Sequence, residues 1–156
     1  HKAAGIYRGG KYKVYEGGTR VPFIIRWPGK IKPQVSDALV SQVDLLASFA
    51  DFLGIEMPED AAPDSRNYWN TFIGKDDKGA EIILEQANKR ERGVAVRKGQ
   101  MKYINFNDET FEMYNLAVDP SETNNIIHAD PDQANEMRRM LDELMQIGLQ
   151  NYASDD

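Results

Sequence analysis

An α+β fold is predicted from three features of the chain. Four short runs at residues 81–86, 93–97, 102–106 and 111–115 are separated by polar turns such as Lys98-Gly99 and Asn107-Asp108. That is the spacing of an antiparallel four-stranded meander. After them Ala134, Met137, Leu141, Leu144 and Met145 form a stripe at helical spacing, which predicts a C-terminal helix packed on one sheet face. Ahead of the meander, one apolar run and one amphipathic segment predict a strand followed by a helix.

Taken in order, residues 21–27 read as a buried strand, because Val-Pro-Phe-Ile-Ile is bounded by Gly17-Gly18 and Pro28-Gly29. Pro22 stands at its first positions, where a strand tolerates proline. Between 41 and 53 the residues Val43, Leu45, Leu46, Phe49, Ala50, Phe52 and Leu53 recur at helical spacing. Ser41 with Asp44 offers a capping-box start, and Gly54 suits the stop. Residues 57–79 are rich in Pro, Asp, Asn and Gly and read as a surface loop, with Tyr68, Trp69 and Phe72 as local anchors. Asp130-Pro131 supplies a cap and a first-turn proline for the final helix. The expected organisation is residues 1–56, a connecting loop 57–80 and a subdomain 81–156.

A length of 156 residues suits one domain, or one small domain with an appended segment. The net charge of -6 argues against sequence-independent nucleic-acid binding, which needs a basic surface to neutralise phosphates. No apolar run approaches the roughly 18 to 20 residues of a membrane-spanning helix. The absence of Cys removes disulfides and thiolate metal sites.

The densest chemical signal spans residues 7–30, Y-R-G-G-K-Y-K-V-Y-E-G-G-T-R-V-P-F-I-I-R-W-P-G-K. Glycine pairs mark tight backbone geometry or close approach, and cations beside them suggest an anion site. The stretch resembles the sulfatase family, arylsulfatase-like members of the alkaline phosphatase superfamily, which carry R-G-G-K-x-x-x-Y-E-G-G-x-R-V-P-x-I and then W-P-G-K. Three later landmarks resemble the same family in the same order: V-S-Q-V-D-L-L from Val40, A-V-R-K-G-Q-M-K-Y-I from Ala95, and E-M-Y-N-L-A-V-D-P-S-E-T-N-N from Glu112. Together they cover most of the chain, from Tyr7 to about Ile127.

The resemblance implies hydrolysis of a sulfate monoester. It also implies a formylglycine nucleophile made from Cys or Ser in a C-x-P-S-R-type motif, and a calcium ion held by aspartates and an Asp-Asn pair. Neither that motif nor those ligands occur here. The chain is therefore expected to be the C-terminal portion of a sulfatase, with residues 1–56 a strand-helix remnant of the large α/β domain. Its partner would be the N-terminal sulfatase domain, and it would be inactive alone. A periplasmic or extracellular location is what the family implies.

Site residues follow from the motif. Lys11 matches the family lysine that reaches the substrate sulfate, whereas Lys13 stands where the motif fixes no lysine. Within Y-E-G-G-x-R, Glu16 and Arg20 are expected to tie the turn together, and Gly17 and Gly18 to supply backbone angles forbidden to larger residues. His1 corresponds to a residue just past the family's D-N-G and is a candidate for the substrate pocket. In the loop at 86–92, Asn88, Arg90 and Arg92 are candidates for contact with the organic part of the ester. Asp76-Asp77 reads as a solvated turn and His128 as a surface or capping residue.

Two other readings remain open at this point. One is a phosphoesterase or phosphonate hydrolase of the same superfamily. The other is a non-catalytic module that binds an anionic glycan or a partner. A polar, cationic loop suits a sulfated sugar better than a steroid. The apolar strand and helix, lacking a covering sheet, are expected to make the isolated chain associate with a second copy.

Overall fold

The computed structural model describes residues 3–58, 60–88, 93–106 and 109–153, without the side chains of 149–153. Its elements in order are helix α1 (Glu16–Thr19), a 3-10 turn at Gln42–Asp44, helices α2 (Leu45–Leu53) and α3 (Trp69–Phe72), strands β1 (Ile82–Gln86), β2 (Val94–Lys98), β3 (Met101–Asn105) and β4 (Phe111–Asn115), and helix α4 (Pro131–Ala153). The strands form one antiparallel sheet in the order β1-β2-β3-β4, as the meander spacing predicts. The chain divides into two compact units, residues 1–22 with 84–156, and residues 23–83. These divisions differ from the expected 1–56, 57–80 and 81–156, because the glycine-rich N-terminal block packs with the sheet rather than with the helix that follows it.

The first unit is built around the register of its sheet. Arg97 faces Lys102 and Ala95 faces Ile104 across β2 and β3, while Lys102 faces Tyr114 and Ile104 faces Glu112 across β3 and β4. Side chains alternate along a strand, so Ala95, Arg97, Lys102, Ile104, Glu112 and Tyr114 share one face. Helix α4 packs on β2 and β3. It buries Ala134, Met137 and Leu141, and the Asp130 carboxylate accepts the Gln133 N–H at its start. On the face with Ala95 and Ile104, Val14 enters an apolar cluster with Ala87, Tyr114 and Leu116. Burying one such side chain contributes about 1.5–3 kcal/mol, and Val14 thereby anchors the N-terminal block to the sheet.

The second unit holds α2 and α3. The expected capping box forms: the Asp44 carboxylate accepts the Ser41 N–H at 2.9 Å and the Arg66 N–H at 3.0 Å. Gly54 ends α2 with φ of 65°, a left-handed conformation that favours glycine. The expected strand at 21–27 is not formed. A strand needs a neighbour for its backbone groups, and no strand among the described residues pairs with this segment. Phe23, Trp27, Phe49, Phe52, Trp69 and Phe72 instead line a cavity of about 320 Å³, with the Trp69 and Phe52 rings stacked at 4.4 Å. The loop at 57–79 contains the short turn α3. Within it Asp76 accepts from the Thr71 hydroxyl, and Asp77 accepts from Ser36 at 3.4 Å.

Candidate functional site

Residues 7–20 form a loop closed by its own backbone. The Gly17 N–H donates to the Arg8 carbonyl at 2.8 Å, and the Lys13 N–H to the Gly10 carbonyl at 3.0 Å. Gly9 and Tyr12 make the reversals, with φ of 80° and 76°. Gly17 and Gly18 lie in α1, and the chain needs them for a reason other than the one expected. Neither has positive φ. A Cβ on Gly17 would stand 2.5 Å from the Arg8 carbonyl oxygen, and one on Gly18 would stand 2.1 Å from that of Lys13. Backbone meets backbone there, so only glycine fits.

Below this loop the sheet carries a buried charge cluster. The Lys102 side chain is 0% exposed; its Nζ lies 2.7 Å from Glu85 Oε2, 3.1 Å from Glu16 Oε1 and 3.4 Å from Glu122 Oε1. Arg97 and Arg20 reach Glu16 Oε2 at 3.4 Å and 3.6 Å. Three carboxylates thus face three cations, which a buried ionic cluster requires if it is not to destabilise the fold. Burial alone would depress the Lys102 ammonium, but Glu85, Glu122 and Glu16 outweigh it and hold its pKa above the ordinary value. Glu122 goes the other way from a simple ion pair. Burial raises its pKa, and one ammonium shared among three carboxylates does not cancel that.

Glu122 reaches the cluster through an unusual backbone. Its φ is 52°, held because the Asp119 carbonyl accepts its N–H and the Asp119 carboxylate accepts those of Thr123 and Asn124. The Glu122 carboxylate then accepts the Glu16 N–H at 2.7 Å. The Asp-Pro-Ser-Glu turn is in this way locked to the Tyr-Glu-Gly-Gly turn.

A second polar group sits beside the first. The hydroxyls of Tyr15 and Tyr114 both donate to Glu112 Oε2 at 2.8 Å. Arg8 lies over the Tyr15 ring at 3.9 Å and donates to the Tyr114 hydroxyl at 2.9 Å. Burial, then the Glu112 hydrogen bond, pushes both phenols well above their usual range.

The expected site residues divide by place. Lys11 is exposed at the tip of the loop, its Nζ 4.8 Å from the centroid of the Tyr12 ring. Asn88 follows β1, and its backbone N–H donates to the Tyr12 carbonyl at 3.2 Å. The Lys11 tip and the start of the 86–92 loop are therefore joined. Glu16 is buried within the cluster, while Arg20 is half-exposed at its edge. Lys13 is exposed, and so is His128, in the turns before α4. His1, Arg90 and Arg92 lie outside the described residues.

Sequence reasoning missed Lys102, Glu85, Arg97 and Glu122. A signal was present in β3, where Lys102 shares a face with Ile104 between apolar neighbours, a pattern unsuited to a solvated lysine. Among the described residues no group of three or more His, Cys, Asp or Glu could hold a metal ion. Nor is any helix of the described residues long and apolar enough to cross a membrane.

Comparison with known proteins gives a consistent result. Residues 8–150 match the family described as N-sulphoglucosamine sulphohydrolase, C-terminal. An N-acetylgalactosamine-6-O-sulfatase of Bacteroides thetaiotaomicron is 43% identical over 92% of this chain and 31% of its own length. An N-acetylglucosamine-6-O-sulfatase of the same organism is 37% identical over 72% of this chain and 22% of its own. A solved structure described under the metabolism of multiple glycosaminoglycans by Bacteroides thetaiotaomicron superposes with a TM-score of 0.82 at 43% identity, over 90% of this chain and 32% of that one. The chain thus spans about a third of the length of the first of these relatives.

Proposed function

Because this chain belongs to the family of N-sulphoglucosamine sulphohydrolase C-terminal regions, we propose that it is the C-terminal segment of a longer sulfatase that hydrolyses the sulfate monoester of a sulfated sugar. The names of its relatives favour a 6-O-sulfated N-acetylhexosamine. In this reading Lys11 binds the sulfate, and the loop carrying Asn88, Arg90 and Arg92 forms part of the wall around the sugar. The observation that supports it is the hydrogen bond from the Asn88 N–H to the Tyr12 carbonyl, which keeps Asn88, where that loop begins, beside the Lys11 tip.

The chemistry asks for a cation at Lys11. As the S–O bond breaks, negative charge grows on the leaving oxygen and persists on sulfate, and a fixed ammonium stabilises both in a site from which substrate displaces water. Glu16, Lys102 and Glu122 do not touch substrate in this reading; they fix the turn five residues beyond Lys11. The nucleophile and the calcium charge would come from the part of the protein outside this chain.

The test is sulfate release. The full-length protein should liberate sulfate from a 6-O-sulfated N-acetylhexosamine, and this chain alone should liberate none above the buffer rate. Release of phosphate from the matching phosphate ester, with the sulfate ester untouched, would overturn the reading.

A further inference from the structure

We propose that Tyr12 is the sugar-stacking, specificity-determining residue of this site, its ring face receiving the pyranose whose sulfate is held by Lys11. This deepens the reading of Lys11 above and rests on it.

Tyr12 is a bulky residue at φ of 76°. Such a conformation is strained for a bulky side chain and persists where its surroundings hold it. Two backbone bonds do so here, from the Asn88 N–H to the Tyr12 carbonyl and from the Lys13 N–H to the Gly10 carbonyl. Glycine would take the same turn without strain. The side chain therefore has to be explained by something other than the turn.

Core packing does not explain it. Tyr12 is 56% exposed, and it is absent from the Val14, Ala95, Ile104 and Tyr114 cluster beneath the loop. Its ring meets the Lys11 ammonium at 4.8 Å from the centroid, as the negative face of an aromatic ring attracts a cation. An exposed aromatic residue beside a cation matches a sulfated sugar, which presents an apolar C–H face a few bonds from its anion.

The experiment uses the full-length protein with Tyr12→Gly, Tyr12→Phe and Lys11→Ala, and reads KM for the 6-O-sulfated hexosamine and the inhibition constant of inorganic sulfate. Tyr12→Gly removes ring and strain together, so its melting temperature should not fall. Its KM should rise about tenfold, the upper range of an aromatic contact, with the inhibition constant of sulfate at its wild-type value. Tyr12→Phe keeps the ring and should restore KM. An unchanged KM in Tyr12→Gly, with sulfate binding weakened in Lys11→Ala, would overturn the stacking role and leave the Lys11 reading standing. A parallel rise in KM and in the sulfate inhibition constant for Tyr12→Gly would also overturn it, since the ring would then act only by holding Lys11. Wild-type values for Lys11→Ala in both measurements would instead remove the reading on which Tyr12 depends.

Discussion

Lys102 Nζ donates to Glu16 Oε1 at 3.1 Å, joining residues 86 positions apart. This contact fastens the Tyr-Glu-Gly-Gly turn to the middle of the sheet. It also makes Lys102 the common counter-charge of Glu16, Glu85 and Glu122.

Lys102→Met should therefore be costly. It keeps the side-chain volume but leaves three carboxylates facing two arginines at the edge of the cluster, and breaking a buried ionic group typically costs about 3–5 kcal/mol. Urea unfolding of the chain checks this. A loss below about 1 kcal/mol would mean that water reaches the carboxylates and the cluster contributes little.

Glu122 should leave a pH signature. Its folded-state pKa lies above the ordinary 4.5, so the folded chain binds that proton more tightly than the unfolded chain. The stabilising contribution is then fully present below 4.5 and is lost as pH rises through the folded-state value. The stability of the wild type relative to Glu122→Gln should accordingly increase as pH falls from 7 towards 4.5. Melting temperatures of the two proteins across that window measure it, and a gap that moves in favour of the variant would contradict the assignment. Lys102, raised above 10.5, keeps its contribution throughout this range and loses it only in stronger alkali.

Gly18→Ala should destabilise through a clash rather than through backbone angles. The added Cβ would meet the Lys13 carbonyl oxygen at 2.1 Å and that of Gly10 at 2.5 Å, and neither belongs to a flexible side chain. Overpacking of this kind costs about 1–3 kcal/mol. Denaturant unfolding of Gly18→Ala beside Gly10→Ala, where nothing lies within 4 Å of the new Cβ, separates the two effects; equal losses would refute the close approach.

Ile24 is 86% exposed, and Val43, Leu46 and Leu53 of the same unit are exposed with it. Apolar surface of this kind favours association, so the isolated chain should run as a dimer or larger in light scattering at micromolar concentration. A monomer there would show that these side chains are tolerated in water.

Much of the fold was legible because local rules and tertiary packing agree. The strand runs fall within a residue of β1 to β4, and the Ser41/Asp44 capping box and the Gly54 stop stand where their side chains and φ require. The strand at 21–27 was misread because an apolar run says what would be buried and not which neighbour would supply hydrogen bonds. The role of Glu16 as a tie was legible only as far as Arg20. Its stronger partners, Lys102 and Glu122, come from β3 and a later turn, and nothing local in the sequence links them. Gly17 and Gly18 were recognised as necessary for the wrong reason, since the carbonyls of Arg8 and Lys13 that crowd them are placed by the closed loop.

The most direct test is the steady-state rate of sulfate release by the full-length protein and its Lys11→Ala variant on a 6-O-sulfated N-acetylhexosamine. Loss of one charge that stabilises the transition state should lower kcat/KM by roughly 10²-fold or more, with the variant folded and as stable as the wild type, since Lys11 is exposed and outside the buried cluster. A variant with near-wild-type kcat/KM would show that Lys11 does not bind the sulfate, and the account of this loop as part of the active site would be wrong.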